Sequence, residues 1–149
     1  MSIELVVQRI HDTPGQPDLA RLQGWLDVAG RGIEEDLELV VRIVDEAESQ
    51  RLNRDYRGQD RPTNVLSFPF EGPAHLPAES LGDLVICAPV VQREAAEQGK
   101  PLAAHWAHML VHGILHLRGY DHQGDAEAEE MEALERQILA ELGFADPYV

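Results

Sequence analysis

Hydrophobic and polar residues follow two different patterns along this chain, one typical of strands and one typical of helices. Four short segments rich in apolar and β-branched residues are predicted strands, at 3–9, 37–45, 63–70 and 82–89. The segment 37–45 is apolar on both of its faces, which indicates a strand in the middle of a sheet. Pro69 favours a strand end or a sheet edge for the third segment, because proline donates no backbone hydrogen bond.

Five further segments have the three- and four-residue spacing of apolar side chains that predicts amphipathic helices. They lie at 17–29, 47–58, 90–99, 101–119 and 125–142. Pro101 and Gly119 stand at the start and the end of the fourth segment, where each residue type is favoured. Strands and helices do not alternate strictly, so the pattern predicts an α+β fold. We expect a single domain over residues 1–149, with a mixed sheet of about four strands and about five helices.

The composition narrows the class of protein. Hydrophobic residues make up 44% of the chain and charged residues 26%, which excludes a disordered or fibrous protein. No apolar run reaches the roughly 18 residues of a membrane span, and the first residues lack the basic region of an export signal. Cys87 is the only cysteine and cannot form an internal disulfide, which fits a reducing compartment. The chain is therefore predicted to be cytoplasmic, with no membrane association.

The charge is strongly negative, but the basic residues are unevenly distributed. Twelve basic and 27 acidic residues give a net charge of −15, which argues against a protein covered with phosphate contacts. Five arginines nevertheless fall between residues 42 and 61: Arg42, Arg51, Arg54, Arg57 and Arg61. Such a group is either an ordinary solvated face or an anion site, since guanidinium groups bind phosphate in a bidentate manner.

The acidic surplus is concentrated at the other end of the chain. Residues 121–149 carry nine acidic residues and one arginine. Apolar residues recur within the helix predicted at 125–142 at spacings of three and four: Met131, Leu134, Ile138 and Leu142. This pattern predicts an amphipathic helix with an acidic outer face.

Histidines are concentrated on the predicted helix 101–119. His112 and His116 are four residues apart, so they project from the same helical face, and two imidazoles in this arrangement can chelate one metal ion. Gly119 allows a left-handed turn after the helix, which can bring His122 back as a third ligand. Three histidines with one open position describe a catalytic zinc site rather than a closed structural one.

The remaining histidines are given ordinary structural roles. A single histidine on an apolar helix is often a core residue with a hydrogen-bond partner. His108 lies one turn before His112 and is interpreted as support behind the ligands or as part of the core. Structural roles are assigned to the other three: His11, His75 and His105. Imidazole also suits copper, iron and nickel, so the spacing alone leaves the identity of the ion open.

The segment 112–122 shares its spacing with the metzincin zinc peptidases, whose pattern is HExxHxxGxxH. The three histidines and the glycine are in register, but Gly113 stands where the peptidases have glutamate. That glutamate is their general base. Three histidines without this glutamate can still bind a metal ion that polarises a substrate oxygen. A metal-dependent hydrolase of another substrate is therefore an alternative function, and a peptidase is included although Gly113 counts against it.

Three blocks of sequence stand out: HGILHLRGYDH at 112–122, YRGQDRPTNVLSFPF at 56–70 and LGDLVICAP at 81–89. Together they resemble the YbeY family of bacterial rRNA maturation endoribonucleases. The resemblance implies a cytoplasmic single-domain zinc enzyme with one ion per chain, held by His112, His116 and His122. It also implies that Arg57 is functionally important.

The same resemblance implies a biological role. Members of the family act at the 3′ end of small-subunit (16S) rRNA and in ribosome quality control. The expected partners are small-subunit rRNA, small-subunit ribosomal proteins and the GTPase Era. A further alternative is a ribosome-assembly factor whose zinc is mainly structural.

The residues suggest a mechanism that agrees with the resemblance. Zinc can lower the pKa of bound water to about 7, and a guanidinium can bind two oxygens of a phosphodiester as negative charge develops. The hypothesis therefore assigns catalytic roles to His112, as a zinc ligand, and to Arg57, which would hold the scissile phosphate. The sequence leaves open the general base, the cleavage site, the oligomeric state, and whether water or the ribose 2′-OH attacks.

Some residues near these motifs are weaker candidates. Four polar side chains are interpreted either as orienting groups for a ligand or as ordinary turn, cap and sheet residues: Asn64, Ser67, Asp83 and Asp121. For Asp83 the functional interpretation is support for a zinc-binding histidine. Tyr120 is expected to pack against the site. Three residues are expected in the core: Trp25, Cys87 and Trp106.

Overall fold

The computed structural model describes residues 2–72, 79–121 and 123–149. In chain order its elements are β1 (Ile3–Arg9), α1 (Leu19–Ala29), β2 (Leu37–Val44), α2 (Glu46–Arg57), β3 (Val65–Pro69), β4 (Ser80–Cys87), α3 (Ala88–Gln98), α4 (Leu102–Leu117) and α5 (Asp125–Glu141). The fold is α+β with a four-stranded sheet and five helices over these ranges, which confirms the predicted class. None of the described helices is both long enough and apolar enough to cross a bilayer.

The sheet is mixed, and its strands lie in the order β1-β2-β4-β3. β2 pairs in parallel with β1 and β4, whereas β3 pairs antiparallel to β4. β2 is an inner strand, as predicted, and its side chains Leu39, Val41 and Ile43 are fully buried on one face. The opposite face, with Val40 and Arg42, is only half-buried, so the two faces are not equally apolar. β3 ends at Pro69 and is an edge strand, which is the position that the proline predicts.

The main core lies between one face of the sheet and α4. Trp106, Leu110 and Ile114 recur along α4 at helical spacing and are almost fully buried. α1, α3 and α5 pack beside this helix. α2 lies on the opposite face of the sheet, where Leu52 and other side chains cover a smaller apolar cluster. The helix that carries the histidines is therefore the central helix of the core.

The boundary between β4 and α3 differs from the sequence prediction. The predicted strand 82–89 starts earlier, at Ser80, and ends at Cys87, so that Ala88 and Pro89 already belong to α3. Proline is tolerated in the first helical turn because the backbone N–H groups there have no acceptor within the helix. Cys87 itself is fully buried, as expected.

Gly82 occupies a position in β4 that admits no side chain. The pairing of β2 with β4 shifts here, because Glu38 faces Ser80 and Leu39 faces Gly82. Gly82 has a φ of 140°, and a Cβ at this position would lie 2.5 Å from the backbone oxygen of Phe68 in β3. Glycine therefore lets β3 approach β4 closely at the irregularity in the sheet.

The end of α4 reverses the direction of the chain. Gly119 has a φ of 98°, in the left-handed region that the sequence predicts for it. Its N–H donates to the oxygen of His116 at 3.0 Å, and the N–H of Tyr120 donates to the oxygen of Leu115 at 3.0 Å. These two bonds close a Schellman motif, which returns the chain towards the histidine face of α4. Tyr120 is half-buried and packs against the main core.

Candidate functional site

The imidazoles of His112 and His116 lie together on one face of α4. Their Nε2 atoms are 3.2 Å apart, and their ring centroids are 4.7 Å apart. Both side chains are partly exposed and line the same cleft. The four-residue spacing therefore produces the pair that the sequence predicts.

A buried carboxylate on α5 holds the outer nitrogen of His112. Glu135 has no exposed surface, and its Oε1 lies 2.6 Å from His112 Nδ1. Its second oxygen, Oε2, accepts hydrogen bonds from His108 Nε2 at 3.0 Å and from the hydroxyl of Tyr148. Because Nδ1 of His112 is bound by the carboxylate, Nε2 is the nitrogen that points towards His116 and the cleft.

These hydrogen bonds decide the charge of Glu135. Burial alone would raise the pKa of the carboxyl, but hydrogen bonds from His108, His112 and Tyr148 outweigh it and lower the pKa to about 2. Glu135 is therefore ionised at neutral pH and accepts a hydrogen bond from each of its three partners. Burial and the adjacent carboxylate raise the pKa of Tyr148, so its hydroxyl remains a donor.

The histidine pair fits a zinc ion. Two nitrogens bound to one tetrahedral zinc at about 2.0–2.1 Å lie roughly 3.3 Å apart, close to the observed separation of 3.2 Å between the Nε2 atoms. The carboxylate behind His112 is the usual outer partner of a metal-binding histidine, which fixes the tautomer and the ring orientation. Donor set and spacing both suit the ion that the sequence predicts.

A second group of possible ligands overlaps with this pair. Ligand atoms of His108, His112 and Glu135 all lie within 4.8 Å of one another. These atoms already bond to each other, and the carboxylate is fully buried. An ion between them would replace those hydrogen bonds, whereas an ion between His112 and His116 would leave them intact. The His112–His116 position is therefore the better metal site.

The predicted third ligand, His122, lies outside the described residues, as does His75. The residue before His122 can be placed, because Asp121 lines the same cleft as His112 and His116. The left-handed turn at Gly119 thus brings the chain back to the histidine pair. The assignment of His122 as a ligand stays a prediction.

Arg57 lies on the same cleft, which has a volume of about 450 Å³. It is the last residue of α2, and Gly58 follows with a left-handed φ of 72° that ends the helix. Among the residues that the structure describes, no side chain forms a hydrogen bond or an ion pair with its guanidinium, which is exposed. The cleft therefore combines a cation with two imidazoles, a combination that suits a phosphate group beside a metal ion.

Two of the weaker candidates, Asn64 and Ser67, also line this cleft. Asn64 is fixed from behind, because its Nδ2 donates to the carboxylate of Glu94 at 3.1 Å and its Oδ1 accepts from the N–H of Val65. The hydroxyl of Ser67 lies 3.5 Å from the backbone oxygen of Gly113. Both side chains therefore have structural partners as well as a surface on the cleft.

Of the two interpretations of Asp83, the functional one does not hold. Asp83 does not support a zinc-binding histidine, because it alternates with Leu84 along β4 and lies on the sheet face opposite α4, in a groove with Arg42 and Tyr56. Arg42 does not join Arg57 in one basic group either. It lies in β2 and makes a bidentate ion pair with Glu48 on that opposite face.

The carboxylate that does support His112 was missed by the sequence analysis, which placed all the acids of the last helix on its outer face. Glu135 follows Met131 by four residues and precedes Ile138 by three, so it lies on the buried stripe of α5. A carboxylate on the apolar face of a helix is a signal that it has a buried partner. The spacing of apolar residues could therefore have revealed that Glu135 is buried, but it could not have identified its partner.

The glycine that separates this chain from the peptidase pattern has a packing role. Gly113 is buried, and a Cβ there would lie 2.7 Å from Leu84 Cδ2 of β4. A side chain at this position would have to displace that of Leu84, which is fully buried. The structure therefore gives a packing reason for glycine at this position of α4.

Fold and site together define an α+β protein whose central helix presents a candidate metal-binding histidine pair to an open cleft. The model of a family described as Endoribonuclease YbeY matches residues 17–143. A curated relative named Endoribonuclease YbeY, from Halorhodospira halophila, is 62% identical over 149 residues, covering 98% of this chain and 96% of its own. The solution structure of a Thermotoga maritima protein is similar with a TM-score of 0.60 and 28% identity, covering 97% of both chains. The chain belongs to the YbeY family.

Proposed function

We propose that this chain is a zinc-dependent endoribonuclease that cuts single-stranded RNA. The observation that carries the proposal is the shared cleft, in which the exposed guanidinium of Arg57 faces the same space as the imidazoles of His112 and His116. The name of the curated relative, Endoribonuclease YbeY, supports the same reaction class. Phosphodiester hydrolysis needs a positive group for the phosphate and a means to activate the nucleophile, and this cleft offers residues for both.

Arg57 is proposed to hold the scissile phosphate. Its position at the end of α2, before the turn at Gly58, presents the guanidinium to the cleft while the backbone remains anchored in the helix. A guanidinium can donate two parallel hydrogen bonds to phosphate oxygens, and these bonds strengthen as negative charge grows on the oxygens. With no partner among the described side chains, the group need not break an ion pair to bind the substrate.

His112, His116 and His122 are proposed to hold one zinc ion. When bound, zinc acts as a Lewis acid towards water or a phosphoryl oxygen. The chain contributes the orientation of the ligands: Glu135 holds Nδ1 of His112, so that Nε2 faces the cleft. Asn64 and Ser67, on the wall of the cleft, offer polar groups for a bound ribose or phosphate.

The proposed substrate is small-subunit rRNA near its 3′ end, with a role in 16S rRNA maturation and ribosome quality control in the cytoplasm. The proposed partners are small-subunit ribosomal proteins and the GTPase Era. Membership of the YbeY family supports these assignments. The net charge of −15 supports a need for partners, because so acidic a protein attracts free RNA weakly.

Two other functions are less well supported. A peptidase-like hydrolase would need a general base at position 113, where the backbone packs against Leu84. A ribosome-assembly factor with a structural zinc would be expected to enclose its ion, whereas His112 and His116 border an open cleft. Catalysis on RNA agrees with both observations.

The test compares purified wild type with two single-arginine variants on a single-stranded precursor rRNA. Arg57→Ala should lower the cleavage rate by about 100-fold or more, as expected for loss of a charged group that binds the transition state, with zinc content unchanged. Arg61→Ala is the matched control, because Arg61 is exposed and does not line the cleft.

The same assay also separates the alternatives. His112→Ala and treatment with a chelator should each abolish RNA cleavage, and wild type should leave a peptide library intact. Cleavage of RNA that resists the chelator and persists in His112→Ala would contradict the proposal. Equal rates for wild type and Arg57→Ala would contradict the role of Arg57.

A further inference from the structure

The residues after α5 fold back over the rear of the histidine pair. We call residues 145–149 the strap. Tyr148 places its ring 5.4 Å from the ring of His108, and its hydroxyl donates to Oε2 of Glu135. The same hydroxyl lies 3.4 Å from His108 Nε2. The strap thus reaches the carboxylate that holds Nδ1 of His112.

Several contacts fix the strap in this position. Asp146 accepts a hydrogen bond from the N–H of Tyr148 at 2.8 Å, and it forms an ion pair with Arg136 of α5 at 3.1 Å. The guanidinium of Arg136 also lies 5.1 Å from the centroid of the Tyr148 ring. Lys100 donates to the backbone oxygen of Pro147. These contacts hold the ring of Tyr148 independently of its hydroxyl.

The hydroxyl completes the hydrogen-bonding of a buried charge. A carboxyl group without exposed surface is costly to bury unless hydrogen-bond partners surround it. Glu135 has three such partners, of which Tyr148 and His108 bind Oε2 and His112 binds Oε1. Loss of the hydroxyl would leave His108 as the only described donor on Oε2, and the carboxyl group could then rotate away from His112.

We propose that Tyr148 is a positioning residue of the metal site, which acts through Glu135 to hold the Nε2 atom of His112 towards the ion. The inference rests on the proposed function only in taking His112 as a metal ligand. It assigns to the strap a role in metal affinity rather than in RNA binding. Hydrogen bonds connect the three groups, from the Tyr148 hydroxyl to the Glu135 carboxylate and from the carboxylate to His112 Nδ1.

The experiment measures zinc binding directly, by competition with a chromophoric chelator, in the full chain without RNA. Tyr148→Phe removes only the hydroxyl and keeps the ring under Arg136. Its dissociation constant for zinc should rise about threefold to tenfold, which is the range expected for one lost hydrogen bond. Glu135→Gln should raise the constant roughly 10-fold to 100-fold, as outer partners of metal ligands do.

Two variants serve as matched controls. Tyr56→Phe removes a hydroxyl from an exposed tyrosine that packs against Phe68 on the far side of the sheet. Glu94→Gln alters another carboxylate–histidine pair, in which Glu94 Oε1 lies 2.9 Å from His105 Nε2 of α4. Both should bind zinc like wild type. Thermal denaturation of the metal-free proteins shows that each variant is folded before zinc is added.

A second readout follows the imidazole itself. Nitrogen NMR of the metal-free protein should show His112 protonated on Nδ1 and unprotonated on Nε2 in wild type. This preference should weaken in Tyr148→Phe and be largely lost in Glu135→Gln. A residue with only a structural role would lower the melting temperature and leave the tautomer unaltered.

Three results would overturn the proposal. One is a zinc affinity of Tyr148→Phe equal to that of wild type, even if Glu135→Gln binds weakly. Another is tighter zinc binding by Tyr148→Phe, as expected if Glu135 were itself a ligand that competes with the hydroxyl. The third is an unchanged His112 tautomer in both variants. Because no RNA is present, a failure of the proposed endoribonuclease activity would leave this outcome unaffected.

Discussion

Gly113 of α4 packs directly against the side chain of Leu84 of β4, at the contact between the central helix and the sheet. A Cβ at position 113 would lie 2.7 Å from Cδ2 and 3.0 Å from Cδ1 of Leu84, which is fully buried. The contact falls beside His112 in the sequence, so it sets how near the candidate histidine pair lies to the sheet. The residue that distinguishes this chain from the metzincin pattern is therefore a packing residue.

Gly113→Glu, which completes that peptidase pattern, should destabilise the protein without creating a peptidase. The substitution forces a carboxylate into the core beside Leu84 and should lower the free energy of unfolding by at least about 3 kcal/mol. Urea denaturation measures this change, and a peptide library tests for new activity. The matched control is Gly24→Ala in the interior of α1, where a Cβ meets no atom within 4 Å. That control should stabilise the protein by about 1 kcal/mol.

A stable Gly113→Glu variant with peptidase activity would contradict this prediction. It would show that α4 can move away from β4 and present the glutamate to the cleft. The peptidase function would then have the general base that its mechanism needs.

Zinc should stabilise the protein without being needed for folding. A chain of this size has a sufficient core of its own, and a hydrogen bond with Glu135 fixes His112 within the described part of the chain. Zinc at about 100 times its dissociation constant adds roughly 2.7 kcal/mol, which corresponds to a rise of about 5–10 °C in melting temperature. Differential scanning calorimetry with zinc and with a chelator measures the difference.

His116→Ala should remove most of this rise, whereas His11→Ala, outside the cleft, should keep it. Metal-free wild type should still melt cooperatively. A chain that unfolds when zinc is removed would point to a structural zinc, as in the assembly-factor alternative.

Local rules were enough to predict the histidine pair and the turn after it. The spacing of His112 and His116 fixes their common face because a helix has 3.6 residues per turn. Gly119 predicts the left-handed turn that ends the helix, since glycine adopts a positive φ without strain. Both inferences involve residues that are near in sequence, and the structure shows the pair and the turn.

Contacts between elements distant in sequence were harder to predict. Glu135 lies 23 residues after His112, and only the packing of α5 against α4 brings the two together. Asp83 was a plausible supporting carboxylate from its motif, but its direction depends on the period of two along β4, which places Leu84 towards α4 instead. A shift of one residue along β4 would have turned Asp83 towards α4, whereas the observed register turns it to the opposite face of the sheet.

Part of the arginine group was also misread for this reason. Arg42 and Arg57 are near in the sequence, but β2 carries the first to the face where Glu48 binds it, and α2 carries the second to the cleft. Sequence proximity of like charges does not show which of them share a surface. The charge pattern alone left open whether the arginines form an anion site, and the family resemblance singled out Arg57, which the fold places on the cleft.

The pair Glu94–His105 should make stability depend on pH. The hydrogen bond from His105 lowers the pKa of Glu94 despite its partial burial. A lowered carboxyl pKa contributes stability above the pKa of the unfolded chain, and this contribution is lost as the pH falls through the folded value. The difference in unfolding free energy between wild type and Glu94→Gln should therefore shrink as the pH is lowered from neutral to about 3.

Urea denaturation at a series of pH values measures that difference. Glu97→Gln, on the exposed part of α3, controls for the loss of one negative charge. A difference between wild type and Glu94→Gln that stays constant, or grows, as the pH falls would contradict the assigned contact.

The isolated protein should bind unstructured RNA weakly at physiological salt, with a shallow salt dependence. Arg57 is the only arginine on the wall of the described cleft, and the chain carries a net charge of −15. Screening over about 8 Å lets the cleft act locally despite the net negative charge, but few phosphates can be neutralised. The logarithm of the association constant should fall with the logarithm of salt concentration with a slope of roughly −1 to −2, and Arg57→Ala should reduce that slope by about 0.7.

Fluorescence anisotropy of a labelled single-stranded oligoribonucleotide in a series of KCl concentrations gives both slopes. Arg61→Ala, which leaves the cleft unchanged, should bind with the slope of wild type. Tight binding at physiological salt, or a slope as steep as that of a basic RNA-binding protein, would contradict the idea that one arginine makes the phosphate contact. Selectivity for rRNA would then come from the chain itself. Weak binding with a shallow salt dependence would instead mean that partner proteins bring the RNA to the cleft.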